Sequence, residues 1–221
     1  MRRDRTRHAP TAGIALALVL FGAAARAYPG GTTASRATAG YSWAHNFVSS
    51  LFAARALNGA PNAARPLAVA AMLALCGSAA VLFAGLARRA PSRAHRKAVE
   101  IGGIGAAVYG VLVVTPMHDL MVDLSLAFSL TAMLATTHGL YVERRRSLAL
   151  WGAVAVVLTL VAAVMYYGRI GYALLPVVQK AGLAASVAWL VCTYDACVRD
   201  TPPAPETDAS APRPALPPAT G

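Results

Sequence analysis

Residues 66–87 read PLAVAAMLALCGSAAVLFAGLA, and Arg88 and Arg89 follow at once. No residue in that stretch is charged, and it exceeds the roughly 20 residues that a helix needs to cross a bilayer core. The stretch lacks period-2 alternation, so it does not read as a strand of a membrane barrel. In hydrocarbon every backbone N–H and C=O must be paired inside the segment, and a helix does that. The arginine pair then marks the return to water.

Five more runs are apolar over most of a spanning length, at about 10–27, 98–115, 117–142, 148–167 and 174–194, with charges sparse within them. The expected fold is therefore all-α: a polytopic membrane protein with six transmembrane helices in a bundle. Composition agrees. Of the 221 residues, 57% are hydrophobic and 13% charged, against about 45–50% and about 25% for a soluble domain.

The formal charge of +11 does not point to nucleic acid, because the basic residues lie in short clusters between apolar runs. Arg2, Arg3, Arg5 and Arg7 precede the first run. Arg88, Arg89, Arg93, Arg96 and Lys97 follow the second, Arg144, Arg145 and Arg146 the fourth, and Arg199 and Arg213 the sixth. These alternate connections hold 14 of the 20 basic residues. The positive-inside rule then puts both termini in the cytoplasm. Residues 1–9 form a basic cytoplasmic start, 10–195 the membrane domain with a long external segment at 28–65, and 196–221 a Pro/Ala-rich cytoplasmic tail expected to be disordered. Ala25-Arg26-Ala27 also fits the end of a cleavable signal peptide, but the apolar run is nearly of spanning length and is expected to stay attached. Cys76, Cys192 and Cys197 lack zinc-finger spacing and imply no disulfide framework.

The polar residues gather outside. TPMHDLMVD, residues 115–123, forms the outer turn between the third and fourth helices, with Thr115 as N-cap and Pro116 in the first helical position. Asp119 suits the first turn, where the helix dipole favours a carboxylate. Asp123 is a turn deeper than capping requires. His118, Asp119 and Asp123 are therefore candidates to hold a metal or move protons, with His45 as a further catalytic candidate. Capping with solvent exposure explains the same residues without chemistry. Trp43, Phe47 and Leu51 recur every fourth residue and predict an interfacial helix over 42–57. It would bring Asn46 and Ser49 over His118, Asp119 and Asp123, closing an outward-facing polar pocket, with Tyr41 and Trp43 at headgroup depth. Lys180, a turn into the last helix, snorkels outward or pairs with Asp119 or Asp123. Glu100 pairs with Arg96 or Lys97, and His138 belongs to neither group.

Tyr41-Ser42-Trp43, Asn46-Phe47, Ser49 and Leu51 after the first helix resemble the Y-S-x-x-x-N-x-x-S-x-L-like segment of a bacterial membrane family catalogued as domain of unknown function 998. FRAG/DRAM/SFK-type proteins are more distant in outline. The resemblance covers about residues 12–195 and implies six helices with both ends inside, plus a loop asparagine before helix two, here Asn58 or Asn62. In that family a His is expected early in helix four, where this chain has Asp123.

The leading functional expectation is a non-enzymatic protein of the cell envelope that binds lipid or a partner, since no catalytic set is complete and no cofactor motif is found. Membrane lipids are the expected partners. A metal-assisted hydrolase of lipids, built on His45, His118, Asp119 and Asp123, comes second. It lacks the paired His of alkaline-ceramidase-like enzymes in the last helix. A proton-coupled transporter using Asp123 and Lys180 comes third, without the broken helices of a midplane site.

Overall fold

The computed structural model describes residues 2–199. The expected disorder of the tail falls, from residue 200 onward, outside the described residues. The described residues form six long helices: α1 (Arg2–Ala27), α2 (Arg65–Ala87), α3 (Arg93–Leu112), α4 (His118–Val142), α5 (Arg146–Gly168) and α6 (Leu175–Tyr194). A π-type turn at Asp195–Arg199 follows α6. Among the described residues there is no strand, only isolated bridges between Gly30 and Ala39 and between Arg55 and Pro61.

Five of the helices are long and apolar enough to cross a membrane, and α3 is not among them. Its first two turns carry Arg93, Arg96, Lys97 and Glu100, and Arg96 meets Glu100 at 3.8 Å. The sixth expected span is thus a helix of spanning length with a charged first half. The crossing part of α1 is His8–Ala27, and the helix continues back through the basic start.

Local chemistry explains most boundaries. Pro66 and Pro176 occupy the first turns of α2 and α6, where a missing N–H costs nothing. Ser92 caps α3 by accepting from the His95 amide at 3.2 Å. Arg169 ends α5 in the left-handed region, at φ 55°. The start of α4 differs from expectation. The helix begins at His118 after Met117, and the Thr115 hydroxyl turns back to donate to the Leu112 carbonyl at 2.7 Å. Thr115 therefore closes α3 instead of capping α4.

The packing order is a ring: α2 touches α3, α3 touches α4, α4 touches α5, α5 touches α6, and α6 returns to α2. α1 lies outside this ring, on α2. Glycines let the helices approach closely, as in other membrane bundles. A Cβ on Gly102 would sit 2.8 Å from the Ala132 nitrogen of α4, and one on Gly103 would be 2.3 Å from Phe83 of α2. Trp189 fills the centre, fully buried, and donates to the Leu148 carbonyl at 2.9 Å. The outer surface is apolar, with Val19 and Leu150 each 69% exposed. Water would not tolerate such a carpet, whereas lipid does.

The helix ends segregate. One end holds residues 28–64, the start of α4 and the α5–α6 turn. The other holds the α2–α3 turn, the α4–α5 turn and the end of α6, where Arg145 donates to the Ala196 carbonyl at 2.9 Å.

Candidate functional site

Residues 28–64 are ordered by a few polar side chains, not by a helix. Only Val48–Leu51 forms a short 3-10 turn, so the helix expected over 42–57 is replaced by irregular chain. The cause is competition for the backbone by asparagine side chains. Asn46 is fully buried. Its Oδ1 accepts from the Ser42 amide at 2.9 Å, and its Nδ2 donates to the Gly31 carbonyl at 2.9 Å. Asn62 donates through Nδ2 to the carbonyls of Leu51 (3.1 Å) and Ala53 (2.8 Å), and accepts from the Ala64 amide at 3.1 Å. The Tyr28 hydroxyl accepts from the Leu57 amide at 3.0 Å. Gly31 has φ +87°, and a Cβ there would lie 2.3 Å from the Asn58 nitrogen, so the loop requires glycine at that position.

Lys180 of α6 reaches into this loop. Its ammonium donates to the carbonyls of Asn46 and Pro176 and lies 5.7 Å from the Tyr41 ring centre. It does not pair with Asp119 or Asp123. Tyr41 also donates to the Asn46 carbonyl, at 3.3 Å, and stacks edge-on with Tyr28 and Trp43. Phe47 meets Tyr172 of the α5–α6 turn at 5.8 Å, and Arg169 lies over Tyr172 at 5.1 Å.

Between α1 and this loop runs an open groove of about 770 Å³. Val19, Gly22 and Ala23 form its apolar wall, and Arg26, Tyr41 and Trp43 stand at its loop end. Trp43 is 59% exposed. The groove thus joins a smooth apolar strip to a cation and two amphipathic rings.

The expected cluster around residues 115–123 is dispersed into pairs. His118 Nδ1 lies 3.0 Å from Asp119 Oδ1, with Asp119 exposed and the His118 Nε2 buried without a partner. Asp123 is exposed on the bundle surface and accepts from the Tyr167 hydroxyl of α5. His45 is exposed and bonded to the Ser42 hydroxyl at 3.1 Å. Ser49 lies in the 3-10 turn, its carbonyl accepting from the Phe52 amide at 3.0 Å. The 41–52 segment meets α6 and the α5–α6 turn through Asn46 and Phe47. Among the described residues no group of three or more His, Cys, Asp or Glu is arranged to hold a metal.

A further polar constellation escaped the sequence reading. At the basic end His95 Nε2 lies 2.8 Å from His138 Nδ1, the two rings stacked, while His95 Nδ1 lies 2.8 Å from the Ser92 hydroxyl. His95 opens α3 and His138 sits near the close of α4, so the two come level once these antiparallel helices are neighbours. No family model matches the chain, and no curated protein or solved structure is significantly similar to it.

Proposed function

We propose that this chain is a non-enzymatic lipid-binding protein of the cell membrane, with a lipid seated in the groove between α1 and the 28–64 loop. The observation that carries the reading is the composition of that groove. Small residues leave room for an acyl chain against α1, and Arg26 offers a cation to a phosphate headgroup. Tyr41 and Trp43 have the amphipathic rings suited to headgroup depth. In this reading all six helices cross, because residues 101–114 of the α3 region carry no charge. Both termini are cytoplasmic, from the distribution of Lys and Arg, and the 28–64 loop is external. Kinship with the domain-998 family rests on the Tyr41-to-Leu51 motif. The hydrolase reading is weaker because His45, His118, Asp119 and Asp123 occupy three separate arrangements. The transporter reading is weaker because Lys180 serves the loop and Asp123 serves Tyr167.

The test fills the groove. A Cβ on Gly22 has no neighbour within 4 Å, so Gly22→Leu starts its side chain in open space and adds bulk to the groove. Gly22→Leu and Arg26→Gln are each expected to lower co-purified anionic phospholipid about tenfold, the equivalent of about 1.4 kcal/mol. Brominated lipid should quench wild-type fluorescence more than that of Trp43→Phe. Unchanged lipid retention in both groove variants would overturn the reading.

A further inference from the structure

At the end opposite the loop, a cavity of about 40 Å³ lies between the α2–α3 turn, α3, α4 and α6. Its inner wall is apolar, with Leu86, Val99 and Leu140. Two threonines interrupt that wall from opposite helices, Thr136 of α4 and Thr193 of α6. Thr136 is 8% exposed and Thr193 fully buried, and neither hydroxyl has a hydrogen-bond partner among the described residues. Buried hydroxyls are normally satisfied, since leaving one unpaired costs about 1–3 kcal/mol. Two in one small cavity point to something that accepts from both.

The mouth of the cavity indicates its charge. Arg89 lines it and is exposed, as is Pro91. The N-terminus of α3, a site that favours anions, stands beside it. Arg88, Arg93 and Arg96 are exposed on the same turn and helix start. His95 forms part of the wall with both ring nitrogens already engaged, by Ser92 and His138. Among the described residues the one carboxylate lining the cavity, Glu143, lies 3.9 Å from the Arg145 guanidinium. At about 13 Å³ per water the space accommodates on the order of three water-sized groups, enough for the two non-bridging oxygens of a phosphodiester or for part of a free phosphate entering from the open side.

We propose that this cavity is a phosphate-binding site, in which Arg89 neutralises the anion and the hydroxyls of Thr136 and Thr193 donate to its oxygens. The phosphate belongs either to an anionic lipid headgroup entering from the surrounding leaflet or to a small free anion. The site lies at the other end of the bundle from the lipid groove and does not depend on it.

The experiment uses the full chain and measures the thermal midpoint. One arm adds inorganic phosphate, against chloride at equal ionic strength, in neutral detergent. The other compares nanodiscs of phosphatidylcholine with and without phosphatidylglycerol. A ligand that binds only the folded form raises the midpoint. A rise with phosphate in detergent identifies a site open to small anions, and a rise only in phosphatidylglycerol discs identifies a headgroup site. Measured in an Arg26→Gln background, so that lipid in the groove does not contribute, Arg89→Gln and Thr193→Val should each abolish the rise. Thr193→Val keeps the side-chain shape and removes an unpartnered hydroxyl, so its midpoint without anion should not fall. If Arg89→Gln folds poorly, Thr193→Val alone decides. No rise in either arm, or a rise that Thr193→Val retains, overturns the proposal.

Discussion

Replacing Asn46 with alanine removes the bonds to the Ser42 amide and the Gly31 carbonyl and leaves both groups without that partner. Stability should fall by about 2–4 kcal/mol, read as a lower denaturation midpoint in detergent. An unchanged midpoint would mean that water replaces the side chain. Tyr41, beside it, gives a pH signature. Burial raises its hydroxyl above the ordinary tyrosine range, and Tyr28 adds to the shift. A folded state that holds this proton more tightly than the unfolded chain has the full contribution below about pH 10 and loses it as pH rises further. The midpoint should therefore drop above that pH, and Tyr41→Phe should flatten the drop. Asp123→Asn, by contrast, should change stability by less than about 1 kcal/mol, because the carboxylate is exposed on the bundle surface.

Among the helices α3 is the informative one. Its glycines, not its hydropathy, hold it between α2 and α4. Gly102→Val forces a side chain against the α4 backbone and should cost about 1–3 kcal/mol, whereas Ile101→Val, on the exposed face, should change little. Chemical unfolding of the two variants side by side checks the contrast. The long apolar helices were legible because a membrane span is written as length and absence of charge. The 28–64 loop was not legible in the same way. Trp43, Phe47 and Leu51 have helical spacing, yet the Asn46 and Asn62 side chains capture backbone groups that a helix would use. Periodicity records where apolar residues fall and says nothing of a side chain that competes for the main chain. For the same reason the sequence offers Asn46 as a hydrogen-bonding residue of an outer pocket, while its use in holding the loop backbone stays hidden. The His95–His138 contact depends on which helices are neighbours, and spacing along one chain does not encode that.

For the molecule as a whole, the proposed orientation makes a direct forecast. Reporter fusions after Arg89 and after Arg146 should read cytoplasmic, and fusions near Gly40 and Arg169 external. The reverse pattern would invert the proposed sidedness of the groove and the phosphate cavity together. The ring of α2 to α6 closes without α1, which packs on α2 alone among the ring's principal contacts. The groove lies between α1 and the 28–64 loop and is lined by no residue of α2–α6, so filling it would not require the ring to open.

The bond from Lys180 to the Asn46 carbonyl spans 134 residues of sequence. At 5–20 residues per second, roughly 7–27 s of synthesis separate the making of its two ends. In the proposed orientation the loop is already outside during that interval, without its bond to α6. A ribosome-bound chain that stops before α6 should therefore be nicked by an external protease between residues 42 and 57 faster than the finished protein. In that orientation an incomplete copy of this protein would stay distinguishable from outside the membrane until the last helix arrives.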